Sequence, residues 1–158
     1  ATVPLDIPPY TKNIIFVETS FTTLETRAFG SNPNLTKVVF LNTQLCQFRP
    51  DAFGGLPRLE DLEVTGSSFL NLSTNIFSNL TSLGKLTLNF NMLEALPEGL
   101  FQHLAALESL HLQGNQLQAL PRRLFQPLTH LKTLNLAQNL LAQLPEELFH
   151  PSTLAEAA

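Results

Sequence analysis

The sequence predicts an α/β-type solenoid, a horseshoe in which a parallel β-sheet lines the concave face and mostly irregular segments return over the convex side. Three observations support this prediction. Leucine accounts for 33 of the 158 residues. The leucines recur with a constant period of 24 residues, and periods of about 20–50 residues are typical of repeat solenoids. Within each period a short stretch alternates apolar and polar residues, as in a strand with one buried face.

The repeats can be followed along the chain from residue 11. They start at residues 11, 35, 59, 83, 107 and 131, which gives five full units and an incomplete sixth. The best-formed units read L-x-x-L-x-L-x-x-N-x-L, the signature of a leucine-rich repeat. Because one short strand cannot bury its apolar face alone, adjacent repeats must stack their strands into one sheet.

Two further columns of the repeat are predicted to hold its turns together. The ninth position carries Asn91, Asn115 and Asn139, and an asparagine amide can satisfy backbone groups both in its own turn and in the adjacent one. The first three repeats carry a hydroxyl residue there, which bonds less extensively. A phenylalanine also recurs every 24 residues and should form an aromatic spine under the convex side: Phe29, Phe53, Phe77, Phe101, Phe125 and Phe149.

The two ends of the chain depart from the repeat. Residues 1–10 are proline-rich and are similar to the end of a cysteine-rich N-terminal cap of extracellular leucine-rich-repeat proteins. Residues 152–158 break the pattern, with Ser152 and Ala155 where leucine is required. We therefore expect a cap remnant, a repeat array over 11–151 and a non-repeat tail, together forming a piece of a longer array.

Three Asn-X-Ser/Thr triplets suggest an extracellular origin. They begin at Asn34, Asn71 and Asn79 and would accept N-linked glycans in a secreted protein. In the repeat register none of them points from the concave sheet. The alternative for Asn34 and Asn79 is that each simply caps a turn. Cys46, the single cysteine, is expected to be small and mostly buried, and a reactive or intermolecular thiol is the other interpretation.

Composition and motifs argue against several functions. A net charge of −4 does not favour a nucleic-acid or anionic-membrane surface, and no apolar run approaches the roughly 18 residues that a membrane span needs. The motifs of zinc peptidases, phosphate-binding loops and serine hydrolases are missing from the sequence. The histidines lie in different columns with no common geometry. We expect no catalysis, no cofactor and no metal site.

The concave face is the predicted protein-binding surface. Outward positions are apolar in the first two repeats, at Ile15, Val17, Val39 and Leu41, where solvent-facing residues would be polar. An alternative is that a preceding cap covers Ile15 and Val17, or that the aromatic candidate packs along its own strand. The remaining candidates are an acidic cluster, one aromatic residue and one histidine: Glu60, Asp61, Glu63, Phe90 and His111.

The segment 83–101, Leu-Gly-Lys-Leu-Thr-Leu-Asn-Phe-Asn-Met-Leu-Glu-Ala-Leu-Pro-Glu-Gly-Leu-Phe, resembles one family closely. Together with the three triplets and the proline-rich start, it is similar to the regulatory, non-catalytic subunits of plasma carboxypeptidase N. The resemblance implies a secreted glycoprotein that binds and stabilises the catalytic subunit, a zinc peptidase. The cysteine-rich caps and most repeats of that family have no counterpart here. The alternative function is a receptor or matrix ectodomain that binds a protein ligand on its concave face.

Overall fold

A computed structural model describes residues 3, 4 and 6–149, and the described part is a β-solenoid. Six strands form one parallel sheet in the order β1-β3-β5-β6-β7-β8, and β2 pairs with β4 in a second, two-stranded parallel sheet. The strands are β1 (Asn13–Val17), β2 (Thr23–Leu24), β3 (Lys37–Leu41), β4 (Gln47–Phe48), β5 (Asp61–Thr65), β6 (Lys85–Thr87), β7 (Ser109–His111) and β8 (Thr133–Asn135).

The sheet register confirms the 24-residue repeat. Each strand pairs with the next at an offset of 24 residues, so that Leu62 lies between Val38 and Leu86, and Leu110 follows in the same row. These side chains point inward and all four are fully buried. The parallel sheet and the irregular returns are as predicted. Over residues 3–4 and 6–149 the returns consist of turns and the short β2–β4 pair, with no helix.

The phenylalanine column lies under the convex returns. Phe53 and Phe77 stack with ring centroids 6.1 Å apart, and Phe101 and Phe125 stack at 5.9 Å. Phe149 is half-buried and contacts Phe125 at 5.7 Å. Phe29, in the first repeat, packs against Phe16 and Phe40 of β1 and β3 at 6.1 and 6.3 Å.

The ninth-position asparagines join consecutive repeats. The side-chain amide of Asn115 donates to Leu88 O in the preceding repeat at 2.9 Å and to Leu112 O in its own at 3.0 Å. Its carbonyl oxygen accepts the N–H of Leu93 at 3.2 Å. Asn91 and Asn139 make the corresponding bonds to the repeats before them. Each side chain therefore satisfies backbone groups on both sides of one turn.

The hydroxyl residues in this column bond less extensively. Thr43 and Ser67 share one hydrogen bond of 2.9 Å between their hydroxyl oxygens. The buried hydroxyl oxygen of Thr19 has no hydrogen-bond partner among the described residues. The connection between repeats therefore becomes stronger from the first repeats to the last.

Replacing Asn115 with alanine should lower the free energy of unfolding by about 1–3 kcal/mol, because buried backbone groups in two repeats lose their partners. Urea unfolding followed by circular dichroism measures this change. Gln116→Ala, at the exposed next position, is the matched control and should change stability by less than about 0.5 kcal/mol. Equal losses in the two variants would contradict the role given to the asparagine column.

Candidate functional site: the concave face

The concave face is formed by the outward side chains of the six-stranded sheet. One row of this face crosses all six strands in register and contains Ile15, Val39, Glu63, Thr87, His111 and Asn135. The neighbours of His111 are thus Thr87 and Asn135, as the repeat predicts. Neither is a zinc ligand of the usual kinds.

The apolar part of this face is smaller than the sequence suggests. Ile15 and Val17 are exposed, with 57% and 56% of their surface accessible. Leu41 is half-buried. Val39 was expected to be open to solvent, but only 4% of it is exposed. Neighbouring strands lie about 4.8 Å apart, so the side chains on both flanking strands cover the short Val39 side chain.

The acidic cluster is partly neutralised by its neighbours. Asp61 lies 3.9 Å from the ammonium group of Lys37 on the adjacent strand. Glu63 accepts a 2.9 Å hydrogen bond from the hydroxyl of Thr65. Both acids are half-buried, whereas Glu60, just before β5, is exposed. The cluster therefore presents less negative charge than three free carboxylates would.

Phe90 lies beyond the end of β6, and half of its surface is exposed. Its φ is +53°, an uncommon backbone conformation for a bulky residue. The ring lies against Gly114 of the next repeat, where an added Cβ would come within 2.2 Å of the ring carbon Cδ1. The ring therefore packs across repeats and not along its own strand.

The left-handed backbone at Phe90 belongs to the repeat itself. The eighth position has a positive φ in all six repeats: Glu18, Asn42, Gly66, Phe90, Gly114 and Gln138. Two glycines in this column were the sequence signal for it, since glycine adopts this conformation without steric cost. Sequence reasoning missed that signal and treated Phe90 as part of a strand segment.

Four amide side chains form a network that sequence reasoning also missed. Asn89, Gln113, Asn135 and Gln138 lie at the ends of β6, β7 and β8. Asn135 donates to Gln113 Oε1 at 3.1 Å, and Gln113 donates to Gln138 Oε1 at 3.2 Å. Asn89 Oδ1 accepts the backbone N–H of Gln113 at 2.8 Å. His111, half-buried, precedes this network on β7.

The three candidate glycosylation sites lie off the concave sheet. Asn71 is exposed on the convex return. Asn34 precedes β3, where its amide donates to Pro9 O at 3.3 Å and its oxygen accepts from Arg58 at 2.9 Å. Asn79 is exposed and donates to Asp51 at 3.0 Å. The two side chains that bond to neighbours are those for which a turn-capping role was the alternative.

The other polar candidates do not form a reactive centre. Cys46 is exposed, so the expectation of a mostly buried thiol is wrong; its side chain points away from the core that Leu45 fills. His150 lies outside the described residues. Within residues 3–4 and 6–149, no three His, Cys, Asp or Glu side chains come together as a possible metal site. Nor does that part of the chain contain a helix with the length and apolarity to cross a membrane.

The clearest electrostatic perturbation lies on the convex side. Arg123 Nε donates to Glu147 Oε2 at 2.9 Å, and Arg122 Nη2 donates to Oε1 at 2.6 Å. These two hydrogen bonds hold the pKa of Glu147 below its ordinary value of 4.5. They join the last two repeats, away from the concave face.

Two family profiles match the chain. The Leucine rich repeat profile matches residues 57–117 and 107–154. The BspA type Leucine rich repeat region profile matches residues 10–84. Together they cover both parts of the array.

Two solved structures share the fold. A chain in the structure of the Toll–Spatzle complex of Drosophila aligns with a TM-score of 0.81 and 28% identity, over 89% of this chain and 19% of that one. A chain of the TLR13–ssRNA13 complex aligns with a TM-score of 0.66 and 24% identity, over 80% and 22%. This second likeness concerns the fold alone. The chain thus spans about a fifth of each.

One curated relative shares a short segment. Carboxypeptidase N subunit 2 of Mus musculus is 65% identical over 33 residues, which are 21% of this chain and 6% of the relative. The match is therefore close but confined to little more than one repeat.

Replacing Gly114 with alanine should displace the ring of Phe90 and strain the backbone at a φ of +73°. The cost should be about 1 kcal/mol from the backbone, plus the lost ring contact. Thermal unfolding and the chemical shifts of the Phe90 ring measure the two effects. If the shifts of Phe90 do not change, the ring does not rest on Gly114.

Replacing Arg123 with alanine should raise the pKa of Glu147 toward 4.5, because one of its two charged donors is lost. In the native protein the folded pKa lies below the unfolded one. The ion pairs therefore stabilise the last repeat fully above pH 4.5, and this contribution is lost as the pH falls through the lowered folded value. A carbon-13 NMR titration of the Glu147 carboxyl group measures the shift. An unchanged pKa in the variant would contradict this origin.

Proposed function

Because the chain belongs to the leucine-rich-repeat family, we propose that it is a non-catalytic binding module whose concave face contacts a protein partner. The observation that carries this proposal is the exposure of large apolar side chains on and beside an open sheet: Ile15, Val17 and Phe90 each have at least half of their surface accessible. Exposed apolar groups of this size, with polar groups around them, are typical of protein interfaces.

The partner that we propose is the catalytic subunit of plasma carboxypeptidase N. The 33-residue segment at 65% identity to carboxypeptidase N subunit 2 supports this choice. In this role the chain is part of a secreted regulatory subunit that binds the peptidase and stabilises it. Binding to the native enzyme alone raises its apparent stability by mass action, so no chemistry is required of this chain.

The proposed contact surface extends over the middle of the sheet. Phe90 supplies a rigid aromatic group, of the kind that dominates interface energetics. Glu60 is exposed and would speed encounter with a basic partner surface, although it adds little to affinity. Val39 supports the surface from below, since it is buried. The remaining members of the proposed surface are Leu41, Asp61, Glu63 and His111.

A second candidate function is a receptor or matrix ectodomain that binds a protein ligand. The TM-score of 0.81 to a chain of the Toll–Spatzle complex, over 89% of this chain, favours it. Capture of the peptidase subunit from plasma would support the first candidate. A membrane-spanning segment in the gene that encodes this chain would support the second.

We also propose that N-linked glycans occupy the convex side. Asn71 is the best acceptor by geometry, because its side chain is exposed and Ser73, which completes the triplet, is exposed as well. Asn34 and Asn79 would have to release their present hydrogen bonds. Glycans at these positions would leave the concave face open to a partner.

Replacing Phe90 with alanine should weaken capture of the peptidase subunit about tenfold, because truncating a central aromatic contact costs roughly 1–2 kcal/mol. Biolayer interferometry with the immobilised catalytic subunit measures the change. Glu63→Lys should weaken it further by reversing a charge on the same surface.

The matched control is Leu70→Ala. Leu70 is also exposed, with 42% of its surface accessible, but it lies after β5 on the return and not on the sheet. Its replacement should leave affinity unchanged. If Leu70→Ala weakens capture and Phe90→Ala does not, the interface lies on the flank of the solenoid. If the unmodified chain captures no peptidase subunit, the first candidate function is wrong.

A further inference from the structure

The amide network at the ends of β6, β7 and β8 has a fixed direction. We call Asn89, Gln113, Asn135 and Gln138 the amide patch. Two backbone N–H groups meet it: the N–H of Gln113 faces Asn89 at 2.8 Å, and that of Ala137 faces Asn135 at 2.9 Å. Since a backbone N–H can only donate, the side-chain atom that it faces must be an oxygen. The orientation of both asparagine amides follows.

The orientation passes from one side chain to the next. Because the oxygen of Asn135 faces the backbone, its NH₂ group faces Gln113 and donates to that side-chain oxygen at 3.1 Å. The NH₂ group of Gln113 in turn donates to the oxygen of Gln138 at 3.2 Å. Every amide oxygen of the patch thus already accepts a hydrogen bond.

The hydrogen-bonding capacity that remains is mainly that of donors. Among the described residues, both amide hydrogens of Asn89 and of Gln138 are free, as is one each of Gln113 and Asn135. A surface with this bias favours groups that only accept hydrogen bonds.

The surrounding charge has the same preference. On the outward positions of β6–β8 the only formally charged residue is Lys85, which is exposed and forms no ion pair with another described residue. Glu108, at the flank, is paired with Lys132 at 3.3 Å. The ring of Phe90 stands beside the patch, over Gly114. The patch therefore combines free donors and a nearby cation with an apolar wall.

We propose that the amide patch binds the carboxylate side chains of an extended acidic segment of a protein partner. A carboxylate accepts hydrogen bonds only, through two oxygens with about four lone-pair sites, and so matches the donors in kind. The proposal rests on the concave face being the partner surface, and it assigns the chemistry of one part of that face. The acidic segment would lie next to Phe90, with its backbone across β6–β8.

The test uses the full 158-residue chain and a blocked hexapeptide of alternating Gly and Glu as the probe. Titration is followed by the side-chain NH₂ signals of Gln113 and Gln138 in nitrogen-15 NMR spectra. The Gly-Glu peptide should shift these signals, and the same peptide with Gln in place of Glu should bind at least tenfold more weakly. Equal binding of the two peptides would overturn the proposal. A larger shift with chitotriose, a neutral sugar, would also overturn it, in favour of a carbohydrate ligand.

The decisive variant is Asn135→Asp, which has almost the same shape. The new carboxylate makes Gln113 donate to it, and Gln138 must then donate to Gln113, so the oxygen of Gln138 turns outward. Affinity for the acidic peptide should fall at least tenfold. Asn42→Asp, in the exposed eighth position of the second repeat, makes the same charge change and should reduce it less than twofold.

A second variant separates donor recognition from simple charge attraction. Gln138→Leu removes an exposed donor without changing charge and should weaken binding severalfold. If only Lys85→Gln weakens binding, while Gln138→Leu and Asn135→Asp do not, the patch is not the site. Binding of the acidic peptide without capture of the peptidase subunit would disprove the proposed partner and leave this inference standing. Peptidase capture without peptide binding would do the reverse.

Discussion

The pairing of each strand with the next at a constant offset is the constraint on which the rest of the structure depends. A strand of three to five residues has one apolar face and two open edges, so it is stable only when neighbouring repeats pair with it. At an offset of 24 residues, Leu62, Leu86 and Leu110 stack in one fully buried row. One inserted residue within a strand would move its inward side chains outward and break the row.

The same constraint explains why a costly backbone conformation recurs at the eighth position. A non-glycine residue in the left-handed region costs about 1 kcal/mol. The chain must turn there in every repeat, and the following asparagine offsets the cost with hydrogen bonds to two repeats. The fold therefore imposes the backbone at this position and leaves the side chain open to choice. Phe90 presents a ring from it, whereas Gly114 leaves room for that ring.

Sequence reasoning succeeded where the period of the sequence equals the register of the sheet. The strands, their order and the buried columns follow from the 24-residue spacing alone, because each residue meets the equivalent residue of the next repeat. The accessibility of outward residues does not follow. Val39 is covered by Ile15 and Glu63 on the flanking strands, and Thr87 is likewise buried. Their burial depends on the particular side chains on neighbouring strands, which no period encodes.

The amide patch could not be read from the sequence for a related reason. Asparagine and glutamine are both donors and acceptors, so their positions alone leave the polarity of a network open. Here the backbone N–H of Ala137 sets that polarity, and Gln113 carries it to Gln138. Side chains held in such a network lose little conformational entropy when a partner binds, so more of each new hydrogen bond contributes to affinity. The apolar repeats offer contact area, and the patch offers direction. A partner on this face is therefore selected where the amides are ordered, at the end of the sheet opposite Ile15 and Val17.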